Sequence, residues 1–434
     1  MDKEYFIIRK DQSPSTEPGL FYIKDMNSEY YESPPKQAPI KRPTKVWQEV
    51  DNVPLKNITS DLLEDFSYAA EDYFAPKTEE MRKDMKKISK FLKKGDYAIV
   101  VPMKEASPVV ENLLVALDHV PRKNIYIIND RSDESATNAV KKFHGVRLVE
   151  KEEIIDLVDA TALKEILNTA RLPVGKGMTV FAGHLLIALI SKFSKKPKWI
   201  FQHDAEIARH LEFTNIDYLA WATEKFGNGA THVKIAKFGR NNERTMTARS
   251  CLLALLQLPD SPENNAIKSR AAELFKNLAP MKWMLSGQFV STYDIAISRP
   301  FATGYLEETL ISAYVSDYNR SKNKKSLQVA NPHLCLDGEN EIRKEDRMLQ
   351  MISNFLFTLA MHPKDMLAWK IEDIKNINYE KMSPSVPAAF IPNHDGPVEI
   401  EHLSNERIVP SVAEMFSLGI IDERRGKKLA LYYS

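Results

Sequence analysis

Trp199-Ile200-Phe201-Gln202-His203-Asp204-Ala205-Glu206-Ile207 is an apolar run that ends abruptly in two carboxylates two residues apart. The apolar part predicts a strand over 198–203. On an extended backbone alternate side chains share a face, so Asp204 and Glu206 point to the same side of a sheet's rim. Such a pair can hold a divalent cation through hard oxygen ligands, and the cation can hold a diphosphate. An enzyme using a sugar-nucleotide donor needs that arrangement. The plain alternative is a strand running into a charged loop, so the surrounding sequence has to decide.

Upstream of this stretch, strands and helices alternate. Tyr97–Met103 predicts a strand, Ser107–Leu117 a helix and Asn124–Asn129 a second strand, and a helix opens near Ser132–Ser135. Val146–Val149 predicts a third strand, Glu152–Thr169 one helix, and Gly177–Phe193 a strongly apolar helix leading into 198–203. This alternation argues for a mostly parallel α/β sheet buried on both faces. Ligands of open sheets lie beyond the carboxyl ends of the strands. Lys104-Glu105, Asn129-Asp130 and Asp204-Ala205-Glu206 all fall at such ends.

Downstream the pattern loosens. It predicts a helix over 213–226, a strand over 231–238, helices near 244–257 and 264–277, and a strand ending at Trp283–Gln288. A helix over 305–317, a strand at Leu327–Ala330 and a long helix near 340–361 follow. Three parts emerge: residues 1–94 as an N-terminal extension, an extended Pro-rich arm followed by helices; 95–362 as the α/β domain; and 363–434 as a C-terminal extension. A lysine-rich helix after Ala75-Pro76, ending near Gly95, closes the first part.

Several short constellations sit on this frame. Gly175-Lys176-Gly177 precedes an apolar helix, where glycines allow close backbone approach and free N–H groups favour anions. It is not a Walker A loop, because Met178 occupies the hydroxyl-bearing position. A solvated lysine in a helix-entry turn is the plain alternative. His333 follows a short strand and, beside a carboxylate pair, is a candidate third ligand from a distant segment. Glu307 and Glu308 stand at a helix entry, where acids compensate the dipole. Lys234, Lys237, Arg240, Arg244 and Arg249 form a basic cluster suited to phosphate, with a solvated face as the default reading.

The totals exclude other classes. With 43% hydrophobic and 27% charged residues, the chain is an ordinary globular protein. A formal net charge of +1 gives no reason to expect nucleic acid or an acidic membrane surface as a partner. Two cysteines, Cys251 and Cys335, are too few for a disulfide framework and point to a reducing compartment. The start, Met1-Asp2-Lys3-Glu4-Tyr5, lacks a signal peptide's basic and apolar regions. The expectation is a cytoplasmic protein. No G-x-S-x-G elbow, H-E-x-x-H helix or C-x-x-C pair is present.

Taken in order, these motifs resemble a known family. Val100-Val101-Pro102-Met103-Lys104-Glu105, Gly175-Lys176-Gly177 and His203-Asp204-Ala205-Glu206 come first. Ser286-Gly287-Gln288-Phe289, Pro300-Phe301-Ala302-Thr303-Gly304-Tyr305 with Glu308, and Asn331-Pro332-His333 follow. Over residues 97–360 the series is similar to the retaining GT-A glycosyltransferases that make glucosyl-3-phosphoglycerate and mannosyl-3-phosphoglycerate, precursors of glycerate-based compatible solutes.

The resemblance implies a GT-A fold: a Rossmann-like, mostly parallel sheet flanked by helices, here with an N-terminal extension and a helical C-terminal part. It implies that Pro102, Glu105, Asp130, Lys176 and Asp204 bind the donor. It places Asp204, Glu206, Gln288 and Glu308 at the reaction centre, and Asp204, Glu206 and His333 around Mg²⁺ or Mn²⁺. Arg249, Arg240 and Gly287 would bind the acceptor. Glu206 stands where the family has a second aspartate, Gln288 where it has a glutamate, and Ala248 where a glycine precedes the acceptor arginine. The partners implied are a UDP- or GDP-hexose and 3-phosphoglycerate or a similar phosphorylated acceptor, and a homodimer is common in the family. Residues 203–206 and 244–246 resemble the glucosyl enzymes, whereas 101–105, 300–305 and 331–333 resemble the mannosyl ones, so the sugar stays open. Two other readings stand beside this one: the same fold acting on a glycan or lipid acceptor, and a non-catalytic sugar-nucleotide-binding protein.

Overall fold

The computed structural model describes residues 78–104, 107–132, 134–172, 175–205, 213–226, 230–237, 255–256, 259–278, 287–304, 307–331, 364–377 and 407–434. Among them, seven strands form one sheet: β1 (Tyr97–Met103), β2 (Ile125–Asn129), β3 (Arg147–Glu150), β4 (Trp199–Gln202), β5 (Ala230–Lys237), β6 (Phe289–Thr292) and β8 (Lys325–Asn331). Their order is β3-β2-β1-β4-β6-β5-β8. Only β6 runs antiparallel to its neighbours, pairing Phe201 with Val290 on one side and Val233 with Val290 on the other. The sheet is therefore mostly parallel, as the alternation of elements predicts.

Parallel strands bury both faces, and the side chains of β1 show it. Ile99, Val101 and Met103 enter a core shared with α1 (Thr78–Lys94), α2 (Ser107–Ala116) and α7 (Asn215–Phe226). Ala98 and Val100 enter the opposite core, beneath α6 (Lys176–Phe193). Helix α6 is uniformly apolar because nearly all of it is covered. Its length and composition would suit a membrane, but 78% of it is buried within the molecule. Gly183 permits this contact: a Cβ there would meet Val100 Cγ1 at 2.3 Å and Ile128 Cγ1 at 3.1 Å.

The remaining helices are α3 (Glu134–Lys141), α4 (Lys151–Ile155), α5 (Ala160–Leu167), α8 (Pro262–Leu278), α9 (Tyr293–Ser298), α10 (Glu307–Lys322), α11 (Ile371–Lys375), α12 (Val412–Ser417) and α13 (Glu423–Tyr433). Two expectations are corrected. The single helix predicted over Glu152–Thr169 is broken into α4 and α5. Asp159 caps α5 by accepting from Thr161 N and Ala162 N, and Val158 bridges to Ile421. Of the strand predicted to end at Trp283–Gln288, Gly287 and Gln288 are not in a strand, and β6 begins after them at Phe289; residues 279–286 lie outside the described residues. The helices expected near 244–257 and 340–361 also fall largely or wholly outside them.

Residues 407–434 share the core beneath α6. Strand β9 (Ile408–Val409) pairs antiparallel with β7 (Phe301–Ala302), and Val409, Val412, Met415 and Ala430 are buried in that core. Helix α13 approaches α6 so closely that a Cβ on Gly426 would meet Leu189 Cδ2 at 2.7 Å.

Candidate active site

The parallel strands end at one rim, and the antiparallel β6 begins there. Gly287 and Gln288, which lead into β6, therefore stand beside Asp204, which leaves β4. The first residue of α6, Lys176, reaches the same place. Its Nζ lies 2.7 Å from Asp204 Oδ1 and 2.9 Å from Glu308 Oε1, in the first turn of α10. These three side chains keep 21%, 15% and 15% exposure, so the cluster is set into the protein yet open to solvent. Burial works against the charge on Lys176, but Asp204 and then Glu308 outweigh it and hold the ammonium well above the ordinary lysine range.

Gly287 forms the floor of this cluster. A Cβ there would lie 2.6 Å from each carboxylate oxygen of Asp204 and 2.7 Å from Lys176 Nζ. The glycine turns a crowded ion cluster into a cradle. Gly175 and Gly177 allow close approach to the protein's own backbone at 302–304. Gly175 has φ 138°, a conformation side chains rarely adopt, and a Cβ on Gly177 would meet Ala302 O at 1.7 Å. Met178 N donates to Thr303 O at 3.3 Å, so this segment also takes up one N–H at the start of α6.

Other predicted site residues lie nearby with partners of their own. Pro102 is half-buried near the end of β1, opposite Ile128. Asp130 is buried; its carboxylate pairs with Lys151 and accepts from Thr179 Oγ1 at 3.0 Å, bracing the first turns of α6 against the end of β2. Gln288 is buried too, and its Oε1 accepts from Asn215 Nδ2 at the start of α7. Glu105, Glu206, Arg240, Arg249 and His333 lie outside the described residues. The structure thus brings together Lys176, Asp204, Gly287 and Glu308 from four separate segments.

Beneath the site is a buried polar layer that the sequence reading missed. Arg299 and Glu307 form a fully buried ion pair, and Glu307 also accepts from Ala302 N at 2.9 Å. Burial lowers the arginine and raises the acid, each opposed by its partner. Glu307 therefore does more than compensate a helix dipole: it anchors β7. His184 is buried with Nδ1 2.9 Å from Val180 O, so that nitrogen carries the proton. Burial, with Arg299 adding to it, pushes His184 down to about 3. His232, 2.8 Å from Ser291 Oγ, is pushed well below its usual range by burial, then by Lys234 and Arg299. Lys234 itself is buried, which corrects the reading of its segment as a solvated face. The signal was there: Val233 and Ile235 face one core, so His232 and Lys234 must face the other.

No family model matches the chain, and no curated protein matches it in sequence. Similar solved structures include glucosyl-3-phosphoglycerate synthase from Mycobacterium tuberculosis with Mn²⁺, UDP-glucose and glycerol 3-phosphate. That likeness has a TM-score of 0.44 and 17% identity, covering 61% of this chain and 79% of the other. The same enzyme with phosphoglyceric acid gives a TM-score of 0.43 and 15% identity, with coverage again of 61% and 79%. With Mn²⁺ and UDP-glucose it gives 0.44 and 16%, covering 63% and 83%.

Proposed function

We propose that this protein is a glycosyltransferase that moves a hexose from a nucleoside-diphosphate sugar to 3-phosphoglycerate or a closely similar phosphorylated hydroxy acid. One observation carries the reading: Lys176 holds Asp204 and Glu308 together over Gly287, at the carboxyl rim of a sheet of this topology. A cation and two carboxylates in a half-open cradle match the needs of a diphosphate leaving group and a sugar. The ordered motifs of the sequence agree, and the similar structures were solved with UDP-glucose, Mn²⁺ and phosphoglyceric acid.

Among the described residues, Asp204 offers hard carboxylate oxygen to a divalent ion, in competition with its ion pair to Lys176. Glu206 and His333 are the further ligands proposed. A bound Mg²⁺ or Mn²⁺ would neutralise charge on the departing diphosphate. Lys176 would add a fixed positive charge as the leaving group's charge develops. Glu308 would hold a sugar hydroxyl, and Gln288, fixed by Asn215, would line the same side. Arg249 or Arg240 would take the acceptor's phosphate by a two-pronged contact. The acceptor would attack on the face the diphosphate leaves, its proton passing to a diphosphate oxygen.

The deciding experiment is a panel of UDP- and GDP-hexoses incubated with the purified protein and Mn²⁺ or Mg²⁺, with and without 3-phosphoglycerate. A hexosyl-phosphoglycerate formed with one donor, and not in the presence of a chelator, is expected. Donor binding without consumption would favour the non-catalytic reading, and consumption without 3-phosphoglycerate dependence would point to another acceptor.

A further inference from the structure

A second lysine lies under the cluster. Lys234, in the middle of β5, is opposite Phe289 in register and 1% exposed. Its Nζ donates to Ser312 Oγ at 2.8 Å and lies 3.4 Å from the carbonyl oxygen of Glu308. Ser312 Oγ donates to that same carbonyl at 2.9 Å. Lys234 thus grips the first turns of α10, the turns that carry the Glu308 carboxylate to Lys176. Placing an ammonium here is unfavourable unless its partners compensate it, a cost that a leucine or methionine would avoid. The charged and titratable groups facing it are Glu308 and Glu307 from α10, Lys176 from α6 and His232 from its own strand. Burial brings Lys234 down to about 7; Glu308 resists this, Lys176 adds to it, and Glu307 resists.

The charges of the cluster explain what such a lysine is for. Lys176 is shared between two carboxylates, and an anionic donor would compete for it. Glu308 then needs another fixed positive group to hold its place. We propose that Lys234 is a positioning residue: it tethers the backbone of Glu308 and stands beneath it as a counter-ion when a donor's diphosphate engages Lys176. This rests on the reading of the cradle as a sugar-nucleotide site and adds to it a residue that touches neither substrate.

The test uses Lys234→Met and Ser312→Ala in the full chain, with two independent measurements. Hydrogen exchange at the amides of Ser312 and Ala313 reports the tether without any need for turnover. It should quicken about tenfold or more in Lys234→Met. Kinetics report the consequence: kcat should fall about tenfold or more, while the Kd for UDP or GDP with Mn²⁺ changes by less than about threefold. Ser312→Ala removes one acceptor of Lys234 and should shift both measurements in the same direction by less. Unchanged exchange, unchanged kcat, or an equal loss of kcat and nucleotide affinity would overturn the proposal. If the wild type consumes no donor, the functional reading falls, and the exchange data alone decide the tether. If Lys234→Met fails to fold, Ser312→Ala decides, and wild-type exchange and kcat in that variant reject the idea.

Discussion

Gly287 and Gly177 show how one substitution has different consequences at two glycines of the same site. In Gly287→Ala the new methyl meets only side-chain ends, the Asp204 oxygens and Lys176 Nζ. Those can move, but only by breaking the ion cluster. Activity should drop about a hundredfold or more, while the Tm stays within about 3 °C of wild type, as thermal melts and donor turnover can check. Gly177→Ala drives its methyl into the backbone carbonyl of Ala302. Backbone cannot yield so cheaply, and a loss of about 3 kcal/mol or more is expected in denaturant titration. At this scale the sequence was readable in part. Lys176 and Asp204 announced themselves by residue type at strand and helix ends. Gly287 was named through its motif as an acceptor contact, but not as the floor of the ion cluster, because that role depends on the proximity of two side chains, one 83 and one 111 positions upstream in the chain.

Among the elements, α10 ties several segments together. Its first turn supplies Glu307 to Arg299 and Glu308 to Lys176, and Ser312 meets Lys234. Further along, Asp317 is fully buried and paired with Arg270 Nη2 of α8 at 2.7 Å, and its carboxylate also accepts from Met366 N at 3.0 Å. Removing Asp317 leaves the buried Arg270 with less compensation, Glu273 still lying 2.7 Å from its Nη1, and takes away the acceptor of Met366 N. Asp317→Ala should therefore cost about 3–5 kcal/mol, measurable by urea unfolding, and Arg270→Met combined with it should recover part of that loss. The sequence predicted α10 over 305–317; it runs Glu307–Lys322. Its helical period was legible, but its ion pairs were not, since the partners come from β5, α6, α8 and the segment before β7. The break between α4 and α5 was missed for the same kind of reason. The helical period runs on through it, and the docking of Ile421 against Val158 helps fix it there.

For the whole molecule, His184 and His232, two of the buried histidines among the described residues, set a pH dependence. His184 and His232 have folded-state values below the ordinary 6.5, and in the unfolded chain both return to it. Protons then bind the unfolded state preferentially as pH falls below 6.5, so stability is full above that value and declines towards acid. Between pH 6.5 and 5 the loss should be about 2 kcal/mol for His184, from 1.36 kcal/mol per unit, with His232 adding to it in the same direction. His119, half-exposed and raised chiefly by its hydrogen bond to Asp217, works in the opposite sense: its contribution is present below 6.5 and lost as pH rises through its folded value. Its exposure makes that contribution smaller. The net expectation is a Tm that falls from pH 7 to pH 5, with a shallower fall in His184→Phe. A Tm flat across that range in the wild type would contradict the burial of these rings as neutral species.

The sequence by itself determined the elements and their order. Periodicity and apolar runs are local properties, and a parallel sheet buried on both faces leaves them plainly written in β1, β2, β4 and α6. It also marked which segments end at the rim. Only the tertiary structure decided which rim residues meet. That outcome depends on β6 entering the sheet against the grain, which carries Gly287 to Asp204, and on α10 folding back so that Glu308 reaches Lys176. It depends as well on burial, which turned Lys234 from one basic residue among several into a cation beneath the cradle. Contacts between distant segments follow from how the whole chain packs, and no window of sequence contains them.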